Sequence, residues 1–151
     1  GRGAEFEQCT YLQLGGKESK DQVETALYLG KLPYVDKGRI AIWGWSFGGF
    51  NTLMSMSEGR PAFRAGVAVA APSDCPSSRA ARLSGSLLLI RGTADDNVHF
   101  RNFVEVSEAY VQADKPFAQQ LYTNRNHNIY GGNTRYHLFK TITRFFDEKL
   151  K

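Results

Sequence analysis

Three side chains in this sequence are of the types that together cleave acyl bonds. They are a serine between two glycines in Gly44-Trp45-Ser46-Phe47-Gly48, an acid that follows a short apolar run, Asp95, and a histidine in a polar stretch, His127. A serine hydroxyl is a poor nucleophile near neutral pH unless a base takes its proton as it attacks, and the base needs a carboxylate to fix its tautomer and stabilise the imidazolium. In that scheme Ser46 attacks, His127 is the base and Asp95 orients it. The backbone N–H of Phe47, at the start of a helix, is one oxyanion donor. Asp96 competes for the acid role, but adjacent side chains point in different directions, so only one of the two can face His127.

The glycine-flanked serine arises by chance in roughly one chain in twenty of this length, so its setting decides. The apolar run Ile40-Ala41-Ile42-Trp43 leads into it and a helical pattern over residues 47–56 follows. Strand, sharp turn and helix around a serine form the nucleophile elbow of an α/β hydrolase, with Gly44 and Gly48 removing Cβ atoms that would collide across the strained turn. Downstream, the strand Leu87-Leu88-Leu89-Ile90 empties into the polar segment holding Asp95, and a strand over 117–122 leads into the loop holding His127. Acid and histidine follow the serine in the order this fold requires. Strand-like residues 66–70 and helices over 18–29, with Val23, Ala26 and Leu27 on one face, 98–112 and 135–149 complete an alternation of helix and strand. Such alternation implies an α/β fold with about four parallel strands and helices on both faces.

The segments Gly1-Arg2-Gly3, Tyr34-Val35-Asp36, Arg39 to Gly49, Gly92-Thr93-Ala94-Asp95-Asp96-Asn97-Val98-His99 and Asn126-His127 resemble the catalytic domain of the prolyl oligopeptidase family, dipeptidyl peptidase IV branch. The resemblance implies the carboxyl-terminal half of an α/β-hydrolase domain over residues 1–151, with Ser46, Asp95 and His127 as the triad. It also implies that Asn97 contacts the substrate carbonyl and that Phe47 and Val98 line a proline-sized pocket. The implied activity is hydrolysis of peptide bonds after proline or alanine through an acyl-enzyme, with a peptide as substrate, no cofactor and no metal. The implied location is periplasmic or extracellular.

Relatives also carry, upstream of the matching residues, a tyrosine that gives the second oxyanion donor and a β-propeller that holds the substrate amino terminus. Within the chain, Cys75 stands where relatives have tryptophan, and the next strand follows almost at once, an apparent shortening near 75–85 that removes the pocket-bearing segment. Arg91 stands where relatives usually have histidine, and Asn128 where they have glycine; asparagine tolerates left-handed backbone better than most residues. Two alternatives therefore stand beside the peptidase: a generic esterase on the same fold, against which Asn97 argues, and a non-catalytic fragment that keeps the signature.

With 151 residues, 42% of them hydrophobic and 23% charged, the chain has the composition of one globular domain. Its net charge of +4 comes from scattered residues, which argues against nucleic acid as partner. No apolar run approaches a membrane span, and no signal-peptide pattern opens the sequence. Cys9 and Cys75 read as unpaired, partly buried thiols, and His99 and His137 as surface or packing residues. Trp43 and Trp45 read as core, Glu5 and Glu7 as exposed surface. In relatives the strand over 40–43 is central; taken alone it forms an apolar edge open to self-association.

Overall fold

A computed structural model describes residues 2–72 and 77–151. After a short helix α1 (Ala4–Glu7), helix α2 (Lys17–Leu29) leads through a 3-10 turn at Lys37–Arg39 into strand β1 (Ala41–Trp45). Then follow α3 (Phe47–Met56), β2 (Ala65–Val69), α4 (Ser77–Ala80), β3 (Ser86–Gly92), α5 (Phe100–Gln112), β4 (Ala118–Tyr122) and α6 (Thr134–Lys149). The strands make one parallel sheet in the order β1-β2-β3-β4, with Gly44 opposite Ala68, Val69 opposite Ile90 and Gly92 opposite Tyr122.

The two inner strands are apolar almost throughout because both of their faces are covered. On one face Val67, Val69, Leu88, Ile90 and Tyr122 pack with Leu138, Ile142 and Phe145 of α6. On the other, Ala68, Leu87 and Leu89 meet Leu53 and Met56 of α3 and Phe103, Val106 and Tyr110 of α5. Helix α2 adds a smaller cluster in which Val23 and Ala26 touch Phe63. The buried face of α2 runs through Ser19, Val23 and Ala26, at helical spacing. Leu27, expected on that face, is exposed.

Two further expectations are corrected. Strand β1 does not stop at Trp43; Gly44 and Trp45 continue its pairing with β2 up to the residue before Ser46. Trp43 is 49% exposed rather than core, because the only strand paired with β1 among the described residues is β2 and its ring reaches only an edge-on contact with Phe139 of α6. Glu5 and Glu7 are exposed, and Cys9 is an unpaired, half-buried thiol. Cys75 and the tryptophan position assigned to it lie outside the described residues, whereas α4 stands in the short β2–β3 connection.

Candidate active site

Ser46 has φ 56° and ψ −121°, a conformation of order 1–3 kcal/mol above the common regions for a side-chain-bearing residue. Hydrogen bonds on both sides hold it there. Its N–H donates to the carbonyl of Val69, one strand away, at 2.8 Å, and its carbonyl accepts from Phe50 N–H at 3.0 Å. The glycines divide their work differently from the sequence expectation. A Cβ on Gly44 would lie 2.2 Å from the backbone of Gly48, and one on Gly49 would lie 2.8 Å from the Val69 carbonyl, yet a Cβ on Gly48 meets nothing within 4 Å. The second tight position is therefore Gly49, where the helix passes β2. The first amide of α3 belongs to Phe47, whose side chain is 46% exposed beside the ring of Phe50.

Asp95 follows the end of β3 with its side chain fully enclosed. One oxygen, Oδ1, accepts from the N–H groups of Asn97 at 3.1 Å and Val98 at 2.9 Å, while Oδ2 lies 2.9 Å from Nδ1 of His127. Asp96 is exposed, so the first acid of the pair is the one that faces the imidazole. With Nδ1–H donated to the carboxylate, Nε2 carries the free lone pair, which is the tautomer a base requires. The His127 side chain is 14% exposed, so the ring is reachable from one side.

The loop after β4 is tied to the rest of the rim. Ala94 N–H donates to the Arg125 carbonyl and Thr93 N–H to the Tyr122 carbonyl, each at 3.0 Å. A Cβ on Gly92 would lie 2.1 Å from the Arg125 oxygen, so glycine lets the two loops meet. Trp45, next to Ser46, donates its indole N–H to the His127 carbonyl at 3.0 Å. Arg135 lies over the Trp45 ring at 5.1 Å and donates to the Asn128 carbonyl at 3.1 Å. Trp45 packs against the core cluster, as the sequence suggests, and its indole N–H adds a bond to the loop; Arg135 carries no signal in the sequence. The left-handed side-chain-bearing residues in this loop are Asn124, with φ 55°, and the buried Ile129, with φ 46°, rather than Asn128.

The carboxyl ends of β1, β3 and β4 thus bring Ser46, Asp95 and His127 to one rim. Asn97 and Val98 stand in the Asp95 turn, the first exposed and the second half-buried, and β2 separates them from Phe47 on the elbow. His99 precedes α5 and is exposed; His137 bonds through Nδ1 to the Tyr122 hydroxyl at 2.8 Å. Among the described residues no group of three or more His, Cys, Asp or Glu could hold a metal ion, and no helix is long and apolar enough to cross a membrane.

The model of the prolyl oligopeptidase family matches residues 1–81 and, separately, 75–151. This chain belongs to that family. Within the family it is similar to cat dipeptidyl peptidase 4, 34% identical over 90% of the chain and 22% of that protein. Mouse inactive dipeptidyl peptidase 10 is 31% identical over the whole chain and 23% of its own length, in an alignment of 183 positions. The crystal structure of Porphyromonas gingivalis dipeptidyl peptidase 4 superposes with a TM-score of 0.94 at 43% identity, covering 99% of this chain and 25% of that one. The chain therefore spans about a quarter of the length of these relatives, and its sheet and helices are of the α/β-hydrolase fold.

Proposed function

We propose that this chain carries the triad of a dipeptidyl-peptidase-like serine peptidase, cleaving peptide bonds after proline or alanine. Ser46 Oγ attacks the scissile carbonyl while Nε2 of His127 takes the hydroxyl proton, and Asp95 stabilises the imidazolium. The tetrahedral oxyanion forms against the N–H of Phe47. The imidazolium then protonates the leaving amine, the acyl-enzyme remains on Ser46, and water attacks it by the same base to regenerate the hydroxyl. Asn97 and Val98, beside the acid, and Phe47, beside the nucleophile, are the proposed substrate contacts.

The observation that carries this reading is the 2.9 Å contact between Asp95 and His127 on the rim where Ser46 holds its strained backbone. Fluorophosphonate labelling of the chain and of Ser46→Ala tests it: the wild type is expected to label and the variant not. Equal labelling of both would end the assignment. Cleavage of a Gly-Pro anilide separates the peptidase from an esterase that turns over only acetate esters.

A second reading, that the chain keeps the signature with little turnover, is favoured by one feature of the sequence. The family match falls into two pieces that overlap at 75–81, and an alignment spanning the whole chain takes 183 positions for 151 residues, as a shortening of the pocket-bearing segment would require. We take residues 1–151 as a partial hydrolase domain shortened near 75–85. Self-association belongs to the same proposal, since among the described residues β1 pairs only with β2 and carries the half-exposed Trp43.

A further inference from the structure

Arg91 is the largest fully buried side chain among the described residues, 1% exposed at the next-to-last position of β3. A guanidinium cannot shed its charge to suit an apolar surround, so burying one costs several kcal/mol unless its donors are met. Here both terminal nitrogens are met by backbone carbonyls from two places. One terminal nitrogen donates to Ala71, just beyond β2, and the other to Val98 at 2.6 Å and His99 at 3.0 Å, in the turn that carries the acid. Burial pushes the guanidinium pKa down, and the charge of Asp95 opposes that push.

Val98 is held from both ends. Its carbonyl accepts from Arg91, and its N–H donates to Oδ1 of Asp95, whose Oδ2 faces His127. The fork of Arg91 therefore holds the carbonyl side of the residue whose N–H holds the carboxylate that faces the imidazole. Lysine offers a point charge on a flexible stem and cannot reproduce a planar fork spanning two strands' exits. We propose that Arg91 is a positioning residue for the Asp95–His127 pair, acting through Val98 and tying the acid turn to the end of β2. It rests on the reading of Asp95 and His127 as acid and base, not on turnover by Ser46.

The test is the Nδ1–H proton of His127, followed by low-field proton NMR on histidine-labelled chain, with its exchange against solvent. Arg91→Met is expected to speed that exchange at least about tenfold, the loss of a charge-assisted hydrogen bond, while the melt remains cooperative. Arg91→Lys is expected to exchange at an intermediate rate. An unchanged chemical shift and exchange rate in folded Arg91→Met would overturn the inference. If Arg91→Met does not fold, Arg91→Lys decides alone: faster exchange supports the role and wild-type exchange ends it. A chain whose Ser46 never labels but whose His127 proton responds to Arg91 would sink the peptidase proposal and leave this one standing.

Discussion

The Cβ that Gly44 lacks would stand 2.2 Å from both the carbonyl carbon and the oxygen of Gly48. Strand end and helix start touch there backbone to backbone, so Gly44→Ala must push the elbow open. An expected loss of about 1–3 kcal/mol follows from overpacking, with loss of Ser46 labelling. Gly48→Ala places its methyl in open space within a helix and is expected to gain about 0.5–1 kcal/mol. Urea denaturation of the two variants checks the contrast; equal destabilisation would contradict it.

Asp95→Asn separates tautomer control from packing. The amide oxygen can still accept from Asn97 and Val98, which turns its NH2 toward His127 and forces the proton onto Nε2. The labelling rate of Ser46 is expected to fall by about ten-thousandfold, the scale known for triads with the wrong tautomer. Asp96→Asn, on the exposed neighbour, is expected to leave the rate within twofold, roughly the noise of a surface change. Comparable losses in both would move the acid role off Asp95.

Trp45→Phe keeps a ring beneath Arg135 and deletes the indole donor to the His127 carbonyl. Loss of one such bond is worth about 1 kcal/mol. Labelling of Ser46 should slow about fivefold, with the thermal midpoint lower by about 2–4 °C. Stopped labelling assays over time give the rate, and an unchanged rate would deny the indole any part in holding the loop.

Arg60 joins Glu58, at 3.0 Å, to Glu24 on α2. Its hydrogen bond holds the Glu58 carboxyl below the usual range, opposed by partial burial. A depressed folded pKa gives stability that is present above the unfolded value and lost as pH falls through the folded one. Arg60→Ala should therefore lower the urea midpoint most above about pH 5 and least below about pH 3. Because solvent and salt screen this surface pair, the difference is small and shrinks further in high salt. A pH-independent difference would assign it to packing of the Arg60 stem.

Trp43→Lys places a charge on the open edge of β1. Edge lysines oppose strand pairing between molecules. Sedimentation velocity across a concentration series is expected to show self-association in the wild type and a shift toward monomer in the variant. A wild type that sediments as monomer throughout would remove the edge from consideration.

The strands were legible because a strand covered on both faces reads as a short unbroken apolar run, as in Leu87 to Ile90 and Gly66 to Ala70. The elbow was legible because Gly44 and Ser46 answer a local steric problem that any chain must solve in the same way. What escaped depended on neighbours distant in sequence. Trp43 and Trp45 are alike in type, yet one lies at an unpaired edge and the other donates to a loop 82 residues away. Leu27 fits the helical stripe but lies at its margin and stays 37% exposed, beside the buried Ala26. The left-handed positions fell at Asn124 and at the buried Ile129, one residue beyond the asparagine that the match to relatives suggests. Arg91 was legible only as a departure from relatives; its three carbonyl partners come from segments that the sequence does not show to be adjacent.

None of Ser46, Asp95 and His127, the proposed triad, rides on β2, which lies between the strand leading to Ser46 and the strand leading to Asp95. Its contributions to the elbow are its width and one carbonyl, that of Val69. Beyond Ala71, whose carbonyl Arg91 holds, the connection from β2 to β3 carries none of the proposed triad, so a graft there leaves Ser46, Asp95 and His127 on their own strands. An engineer seeking a new substrate preference would splice there first.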